Sequence, residues 1–204
     1  MGTTPTQNVR ELGRQETRRR LLKAASELFA QRPASEVKAT DITKLAEVST
    51  GSLYAHLGSK HGALKAVLAS AAEALSRRIR ANWALEPESA QEILEASAHA
   101  IVEMFQEDRA LAVVYLREGP NHPEFAELLL ESQREALRRG QERGLFRKDL
   151  KVEPTSQALI GLIRGLMMWW VESGEEDPTE VIALLVSMRA DLLLPKPTPH
   201  GDAS

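Results

Sequence analysis

The segment from Ala39 to Lys60 constrains the fold of this chain more than any other part of its sequence. Its letters, ATDITKLAEVSTGSLYAHLGSK, describe a short helix, a tight turn, a second short helix and the capped start of a third. Ser49 is a good N-cap for the second helix, because its hydroxyl can accept a hydrogen bond from a free amide of the next turn. Gly58 stops that helix, and Ser59 caps the following one. This layout is that of a helix-turn-helix, a motif whose second helix enters the major groove of DNA.

The rest of the sequence predicts an all-α fold. Leu, Ala, Glu and Arg dominate, which favours helix, and no stretch alternates apolar and polar residues for long enough to predict a strand. Prolines and glycines divide the chain into helices near residues 15–31, 39–46, 50–57, 59–84, 88–107, 109–118, 121–143, 154–173 and 178–193. We therefore expect a flexible arm at 1–14, a helix-turn-helix domain at 15–64, a helical ligand-binding and dimerisation domain at 65–194 and a disordered tail at 195–204.

Charge is distributed unevenly along the chain. Residues 1–64 contain ten basic and six acidic side chains, a net charge of +4. Residues 65–204 contain 16 basic and 23 acidic side chains, a net charge of −7, so that the whole chain carries −3. Attraction for phosphate is thus concentrated in the N-terminal part, as a local DNA reader requires.

Several classes of protein are disfavoured by what the sequence lacks. The chain has no cysteine, which excludes disulfides, thiolate zinc sites and cysteine nucleophiles. The first twenty residues lack the apolar core of a secretory signal, and the most apolar run, Gly165 to Val171, is too short for a membrane span. We therefore expect a cytoplasmic protein without membrane contacts.

Enzymatic motifs are also missing from the sequence. His61, His99 and His122 have no partners at metal-ligand spacing. We find no nucleophile elbow, phosphate loop or dinucleotide fingerprint. The sequence therefore predicts no catalytic residues, no bound metal and no cofactor.

Residues 17–66 resemble the DNA-binding domain of the TetR family of bacterial transcriptional regulators. The matching residues are LLKAASELF at 21–29, DI at 41–42, VSTGSLYAHLGSK at 48–60, and Ala63-Leu64. The resemblance implies a homodimer that binds a roughly palindromic operator. It also implies a ligand pocket within the C-terminal helices, where ligand binding alters the separation of the two DNA-reading heads.

The motif departs from the family pattern at positions that face or approach DNA. Lys38 stands where a Ser or Thr usually caps the first helix of the motif, and Glu47 replaces the common glycine of the turn. Ala55 stands where a longer polar residue is frequent. These departures keep a second interpretation open, in which the chain is a helical small-molecule carrier or interaction protein without specific DNA binding.

We expect phosphate contacts to dominate DNA affinity and base contacts to set the sequence preference. The candidate DNA-binding residues are Lys38, Thr40, Ser49, Thr50, Gly51, Ser52, Tyr54, Ala55, His56 and Lys60. Lys60 stands at a helix N-terminus, where its ammonium and the free amides would form an anion site, the alternative being a solvated lysine. Gly51 permits close approach of the backbone to DNA, unless it serves only packing.

Other side chains of the motif have two interpretations each. The Tyr54 hydroxyl would contact a phosphate, or the residue is purely structural. His56 either reaches a phosphate or is an exposed residue at a helix end. The arginines at 18–20 either reach the DNA backbone or form a solvated cluster.

The helix expected at 154–173 has apolar residues on every side, which predicts burial on every face. One face would join the core of its own subunit and another would meet a partner. Together with the helix at 178–193, it would form a four-helix dimer interface, as the resemblance also implies. Gly161 and Gly165 would allow close helix contact. Ordinary core packing in a monomer is the alternative.

Large apolar side chains and one arginine are candidates for a ligand pocket. They are Trp83, Met104, Phe105, Tyr115, Phe125, Arg164, Met168 and Trp169, each of which could instead be a core residue. Arg164 would pair with an acidic residue or meet the anionic end of a ligand. Such a lining would suit an acyl chain or an aromatic compound. The sequence thus predicts a ligand-responsive DNA-binding regulator, a repressor released from double-stranded operator DNA by a small, largely apolar effector.

Overall fold

The computed structural model describes the backbone of residues 5–195 and the side chains of all of these except residues 5–8 and 10. The described range contains helices α1 (Pro5–Gln31), α2 (Ala39–Leu45), α3 (Thr50–Leu57), α4 (Lys60–Ala84), α5 (Ala90–Glu107), α6 (Arg109–Glu118), α7 (Pro123–Glu142), α8 (Val152–Ser173) and α9 (Thr179–Leu193). A 3-10 turn, Gly119–Asn121, joins α6 to α7. The predicted all-α fold is confirmed.

Helix α1 begins at Pro5, whereas the sequence analysis expected a flexible arm up to residue 14. Proline suits the first turn of a helix, where its missing N–H has no intrahelical partner to lose. Local contacts then support the extra turns, since Thr17 Oγ1 donates to Gly13 O at 2.9 Å. Residues 1–4 of the expected arm, and 196–204 of the expected tail, lie outside the described residues.

The first compact unit comprises the chain up to Ala72 together with Asp108–Phe125. Its core consists of apolar side chains from α1 to α4 and α6. The largest contributions come from Leu21, Phe29, Ile42, Leu53, Leu68 and Val114. Buried positions recur at helical spacing in α1 and α4, so these two helices each bury one stripe, while α2, α3 and α6 each contribute a single fully buried side chain.

Helix α6 belongs to this first unit, although the sequence analysis expected the C-terminal domain to run unbroken from residue 65 to 194. Val114 is fully buried in the core of the first unit. Arg117 Nη1 also donates to the Ala30 carbonyl, at 2.7 Å, at the end of α1. The periodicity of α6 predicts that it buries a face, but it carries no information on which core receives that face.

The second compact unit comprises Glu73–Glu107 and the chain from Ala126 onward. Helix α9 packs on both α5 and α8 within it. Its core contains Trp83, Ile93, Leu94, Leu137, Phe146, Leu159 and Leu193. Gly140 is needed there, since a Cβ at this position would lie 2.0 Å from Cδ2 of Phe146.

Helix α8 is not buried on every face within the single chain, so burial of its remaining face by a partner stays a prediction. Met167 and Trp170 are buried, whereas Trp169 is 43% exposed. Gly161 and Gly165 are also exposed. The helix therefore keeps one apolar face open, because its own subunit supplies neighbours on the other side only.

No helix within residues 5–195 combines the length and the apolar composition needed to cross a membrane.

Candidate nucleic-acid interface

The N-terminus of α3 is fixed by the predicted serine cap. Ser49 Oγ accepts a hydrogen bond from the Ser52 backbone N–H at 3.2 Å. The two serine hydroxyl oxygens are also hydrogen-bonded, at 2.9 Å. Both hydroxyls are thus engaged with each other, which holds the first turn of α3 in one arrangement.

One face of α3 is anchored and the other is free. Leu53 is fully buried in the core of the first unit. Thr50, Gly51 and Ala55 are exposed, and Tyr54 is 54% exposed. Helix α3 therefore presents an exposed face of small side chains and one tyrosine, on a rigid base.

Gly51 is not required by packing. A Cβ built on Gly51 would meet only Ser49 Oγ, at 3.7 Å, which is an ordinary van der Waals contact. The fold would accept alanine here, so the packing alternative raised from the sequence has no support in the geometry. Close approach of the backbone to DNA at Gly51 stays a prediction.

The turn between α2 and α3 contains Glu47 in the left-handed region, with a φ of 51°. This conformation is strained for a residue with a side chain, by roughly 1 kcal/mol. Arg20 Nη2 offsets the strain, because it donates to Glu47 Oε2 at 2.9 Å and lies 3.4 Å from the Glu47 carbonyl oxygen. The carboxylate that the sequence analysis placed near DNA is thus already paired with an arginine.

Helix α2 starts without a serine or threonine cap. Instead, Asp41 Oδ2 accepts from the Lys38 backbone N–H at 3.0 Å and from Arg32 Nη2 at 2.7 Å. The backbone hydrogen bond from Lys38, followed by the charge of Arg32, lowers the pKa of the Asp41 carboxyl. The Lys38 side chain therefore has no capping task, and both Lys38 and Thr40 are exposed.

Lys60 has a structural role that the sequence did not reveal. Its Nζ donates to the Ala34 carbonyl at 2.8 Å and lies 3.4 Å from the Ser35 carbonyl oxygen. These carbonyls belong to the loop between α1 and α2, so Lys60 ties this loop to the start of α4. An ammonium group has three donors, which leaves one available for a phosphate.

Gly62 is a further residue that the sequence analysis missed. Its backbone N–H donates to Ser59 Oγ at 2.9 Å, which is the predicted cap of α4. A Cβ at Gly62 would lie 1.9 Å from the Leu57 carbonyl oxygen, so only glycine fits. Its position inside a helix gave no local signal of this contact, since Leu57 belongs to the preceding helix.

The C-terminal end of α3 is contacted by α1. Arg18 Nη1 donates to the His56 carbonyl oxygen at 3.0 Å. The positive charge lies where the carbonyls of α3 lack helical partners, which is a favourable position for a cation. His56 itself is half-buried.

The residues proposed for a ligand pocket are divided between the two compact units. Tyr115 and Phe125 belong to the first unit, and the other six belong to the second. Trp83 is packed edge-on against Phe146 at 6.2 Å, with the Arg139 guanidinium 5.2 Å from its ring centre. These neighbours make Trp83 a core residue.

The candidate pocket residues on α5 and α8 differ in their burial. Met104 and Phe105 are buried, and Met168 is half-buried. Arg164 is exposed, and no ion pair of its side chain is present among residues 5–195. The acidic partner expected for Arg164 is therefore not found within the described part of the single chain.

Two buried polar groups in the second unit gave no signal in the sequence. The Trp170 indole Nε1 is buried without a hydrogen-bond partner among the described residues, and its ring lies 6.5 Å from that of Phe105. Arg189 is only 4% exposed, and burial lowers its pKa to about 10. Arg189 Nη1 and Nη2 donate to Ser97 Oγ at 2.7 Å and the Leu94 carbonyl at 2.8 Å, so its partners across the interface with α5 are neutral.

Within residues 5–195 no group of three or more acidic or histidine side chains is arranged to hold a metal ion.

Two family models match the chain. One, described as "Bacterial regulatory proteins, tetR family", matches residues 21–67. The other, described as "Tetracyclin repressor-like, C-terminal domain", matches residues 87–193. Together the two matches extend from α1 to α9.

Two similar proteins are described as HTH-type transcriptional regulators. The chain is 25% identical over 184 residues to the uncharacterized HTH-type transcriptional regulator YdgC of Bacillus subtilis strain 168, covering 89% of this chain and 94% of that protein. It is 28% identical over 163 residues to the HTH-type transcriptional regulator UidR of Escherichia coli strain K12, covering 75% and 81%.

Solved structures share the fold. The fatty acid degradation regulator FadR from Bacillus halodurans superposes with a TM-score of 0.75 at 19% identity, covering 92% of this chain and 96% of that one. The ketosteroid regulator KstR2 of Mycobacterium tuberculosis superposes with a TM-score of 0.65 at 22% identity, covering 88% and 95%. At these identities the likeness shows the fold alone. The family matches and the helix-turn-helix geometry lead to one conclusion: the chain belongs to the TetR family of bacterial regulatory proteins, which are DNA-binding transcriptional regulators and not enzymes.

Proposed function

We propose that this protein is a cytoplasmic, homodimeric repressor that binds a roughly palindromic operator and is released by a small, largely apolar effector. The observation that carries the proposal is the geometry of α3. Leu53 anchors its inner face, while Thr50, Gly51, Tyr54 and Ala55 are exposed on the outer side. A rigid helix with one small, open face is the form that fits a major groove.

The roles within α3 follow from the chemistry of its exposed residues. The Thr50 methyl would contact a thymine methyl, and the Tyr54 hydroxyl would donate to a phosphate. Gly51 would let the backbone approach the bases closely. With few long polar side chains on this face, we expect shape and phosphate contacts to contribute much of the affinity.

The effector would bind within the second unit, where Trp170 Nε1 is buried and has no hydrogen-bond partner within residues 5–195. A buried indole N–H costs free energy unless an acceptor is present, and a ligand carbonyl or carboxylate would supply one. The aromatic contact with Phe105 makes the surroundings apolar. The names of two fold neighbours, which refer to fatty acid degradation and to ketosteroids, agree with an apolar effector.

The DNA part of the proposal is tested by selecting duplexes from a random pool and measuring affinity by fluorescence anisotropy. Gly51→Ala should fold normally, because its Cβ meets only Ser49 Oγ at 3.7 Å. Its affinity for the selected operator should fall about tenfold or more, equal to roughly 1.4 kcal/mol. Ser70→Ala, at an exposed position of α4, serves as the control and should bind as the wild type does. Sequence-independent binding by the wild type would contradict the proposal.

The effector part is tested by adding acyl and aromatic compounds to the preformed complex and measuring release. Trp170→Phe keeps an aromatic ring but removes the N–H together with the pyrrole part of the indole, so it should weaken release by at least about fivefold, the size of one hydrogen bond. Trp169→Phe, at the exposed neighbour, should respond like the wild type. A protein that binds such compounds but no duplex would instead support the carrier interpretation.

A further inference from the structure

We propose that Arg14 and Arg18 of α1 bind phosphates of the DNA that flanks each half-site. This basic face of α1 would extend the interface beyond the helix-turn-helix. The inference rests on the proposed function, because it takes α3 as the element that enters the major groove. It assigns a ligand, the phosphodiester backbone, to residues outside the motif.

The first observation is that Arg14 and Arg18 lie on the side of α1 that packs into the core. Leu21 and Ala25 are fully buried and form the inner stripe of α1. Arg14 and Arg18 precede them at spacings of four and three residues, so all four positions share one side of the helix. The face of α1 that packs into the core therefore becomes basic where it extends beyond the core.

The second observation places this basic face beside the candidate reading helix. Arg18 Nη1 donates to the His56 carbonyl at 3.0 Å, at the last turn of α3. Arg14 lies one turn further along α1, which is about 6 Å at the helical rise. Arg14 therefore lies on the stretch of α1 that extends beyond the contact with the end of α3.

The third observation is that Arg14 has no ion-pair partner among the side chains that the structure describes. Arg19 is paired with Glu16, Arg20 with Glu47 and Lys23 with Glu27. Arg14 is exposed, and no carboxylate lies within ion-pair distance of it among the described side chains. Its charge therefore remains available for a phosphate, which a guanidinium binds with two parallel hydrogen bonds.

An acidic or apolar protein surface suits this face less well. Val9 and Leu12 are 70% and 57% exposed, but by helical spacing they lie on the opposite side of α1 from Arg14. The basic face is therefore separate from the exposed apolar side chains. A regular line of phosphates matches cations spaced along a helix better than a mixed protein surface does.

The test compares two duplexes built on the operator selected from a random pool. The short duplex ends at the outer edge of each half-site, and the long one continues for about 10 base pairs on both sides, one turn of DNA. Affinity is measured by anisotropy over a series of salt concentrations. On the long duplex, Arg14→Ala should lower the slope of log K against log salt by about one unit per subunit. On the short duplex, the wild type and Arg14→Ala should have equal slopes.

Lys23→Ala is the matched control, since it removes one positive charge from an exposed position on another side of the same helix. It should leave both slopes unchanged, and Arg14→Lys should keep most of the long-duplex slope. An equal fall for Lys23→Ala and Arg14→Ala would overturn the inference, because it would show only a net-charge effect. The inference would also be overturned if Arg14→Ala changed the salt slope equally on both duplexes, or changed it on neither. A wild type that binds neither duplex would instead refute the proposed function, so the two failures are distinguishable.

Discussion

At the scale of single residues, the ammonium group of Lys60 combines a structural hydrogen bond with a proposed phosphate contact. It holds the loop between α1 and α2 through the Ala34 carbonyl, at 2.8 Å, and it stands at the N-terminus of α4. The second position is one where phosphate binds readily to helix amides. Both roles are compatible, since the three donors of an ammonium are not all used by the loop.

Substitution of Lys60 separates the two roles. Lys60→Gln keeps an N–H donor for the loop but removes the charge, so the melting temperature should change little. The salt slope of DNA binding should fall by about one unit per subunit, on any sequence. Lys60→Ala should lose stability as well, by roughly 1 kcal/mol. If both variants lost stability while the slope stayed at the wild-type value, Lys60 would be purely structural.

Gly62 and Gly13 form a natural pair for testing packing. A Cβ at Gly62 would lie 1.9 Å from the Leu57 carbonyl, whereas one at Gly13 would meet nothing within 4 Å. Gly62→Ala should therefore lower the free energy of unfolding by about 1–3 kcal/mol, since backbone must shift. Gly13→Ala should raise it by up to about 1 kcal/mol, since alanine favours helix. Urea denaturation measures both, and equal midpoints would refute the assigned contact.

At the scale of elements, α6 is the helix whose packing changes the chemistry of a side chain. Tyr115 on α6 packs against the core of the first unit. Burial raises the pKa of Tyr115 to about 12 from its ordinary value of 10.0. Stability that depends on a neutral tyrosine is fully present below pH 10 and is lost as the pH rises through about 12.

Alkaline denaturation tests this coupling. At pH 11 the unfolded chain has released most of the Tyr115 proton while the folded chain has not, a difference of about 1.4 kcal/mol. Tyr115→Phe should therefore lose less stability than the wild type between pH 9 and 11. Tyr54→Phe is the control, because the exposed Tyr54 is the only other tyrosine. Parallel curves for the wild type and Tyr115→Phe would contradict the burial of this hydroxyl.

At the scale of the whole molecule, the proposed function requires two copies of the chain to bind two half-sites. Helix α8 carries a stripe of small and apolar residues at helical spacing, in which Ala158, Gly161, Gly165 and Trp169 are exposed and Leu162 is half-buried. A Cβ at Gly161 or Gly165 would meet nothing within 4 Å in the single chain. Met188 on α9 is 44% exposed as well. In the proposed dimer, these glycines would allow close approach of a second copy.

Gly165→Glu should therefore break the dimer without unfolding the subunit. A charge in an apolar helix interface is costly, while the same side chain has room in the monomer. Light scattering after size-exclusion chromatography should give a monomer mass, with helix content by circular dichroism unchanged. Gln106→Glu, at an exposed position of α5, controls for the added charge. A Gly165→Glu variant that stays dimeric would place the interface elsewhere.

Local signals in the amino-acid sequence were sufficient to predict the helices, the helix-turn-helix and the caps at Ser49 and Ser59. These features depend on signals within about four residues, namely apolar periodicity, breakers and side chains that bond the nearest free amides. The extra turns of α1 were missed, because Gly13 and a polar composition weaken the local signal without preventing a helix.

Contacts between residues that lie far apart in the sequence could be identified only from the packing of the helices. Lys60 reaches the Ala34 carbonyl, Arg18 reaches the His56 carbonyl, and α6 joins the first unit through Val114. Such contacts join residues far apart in sequence, and backbone carbonyls are present at every position, so no residue pattern marks the one that is used. Their choice depends on how the helices pack, which is set by the fit of whole buried faces and not by any local segment.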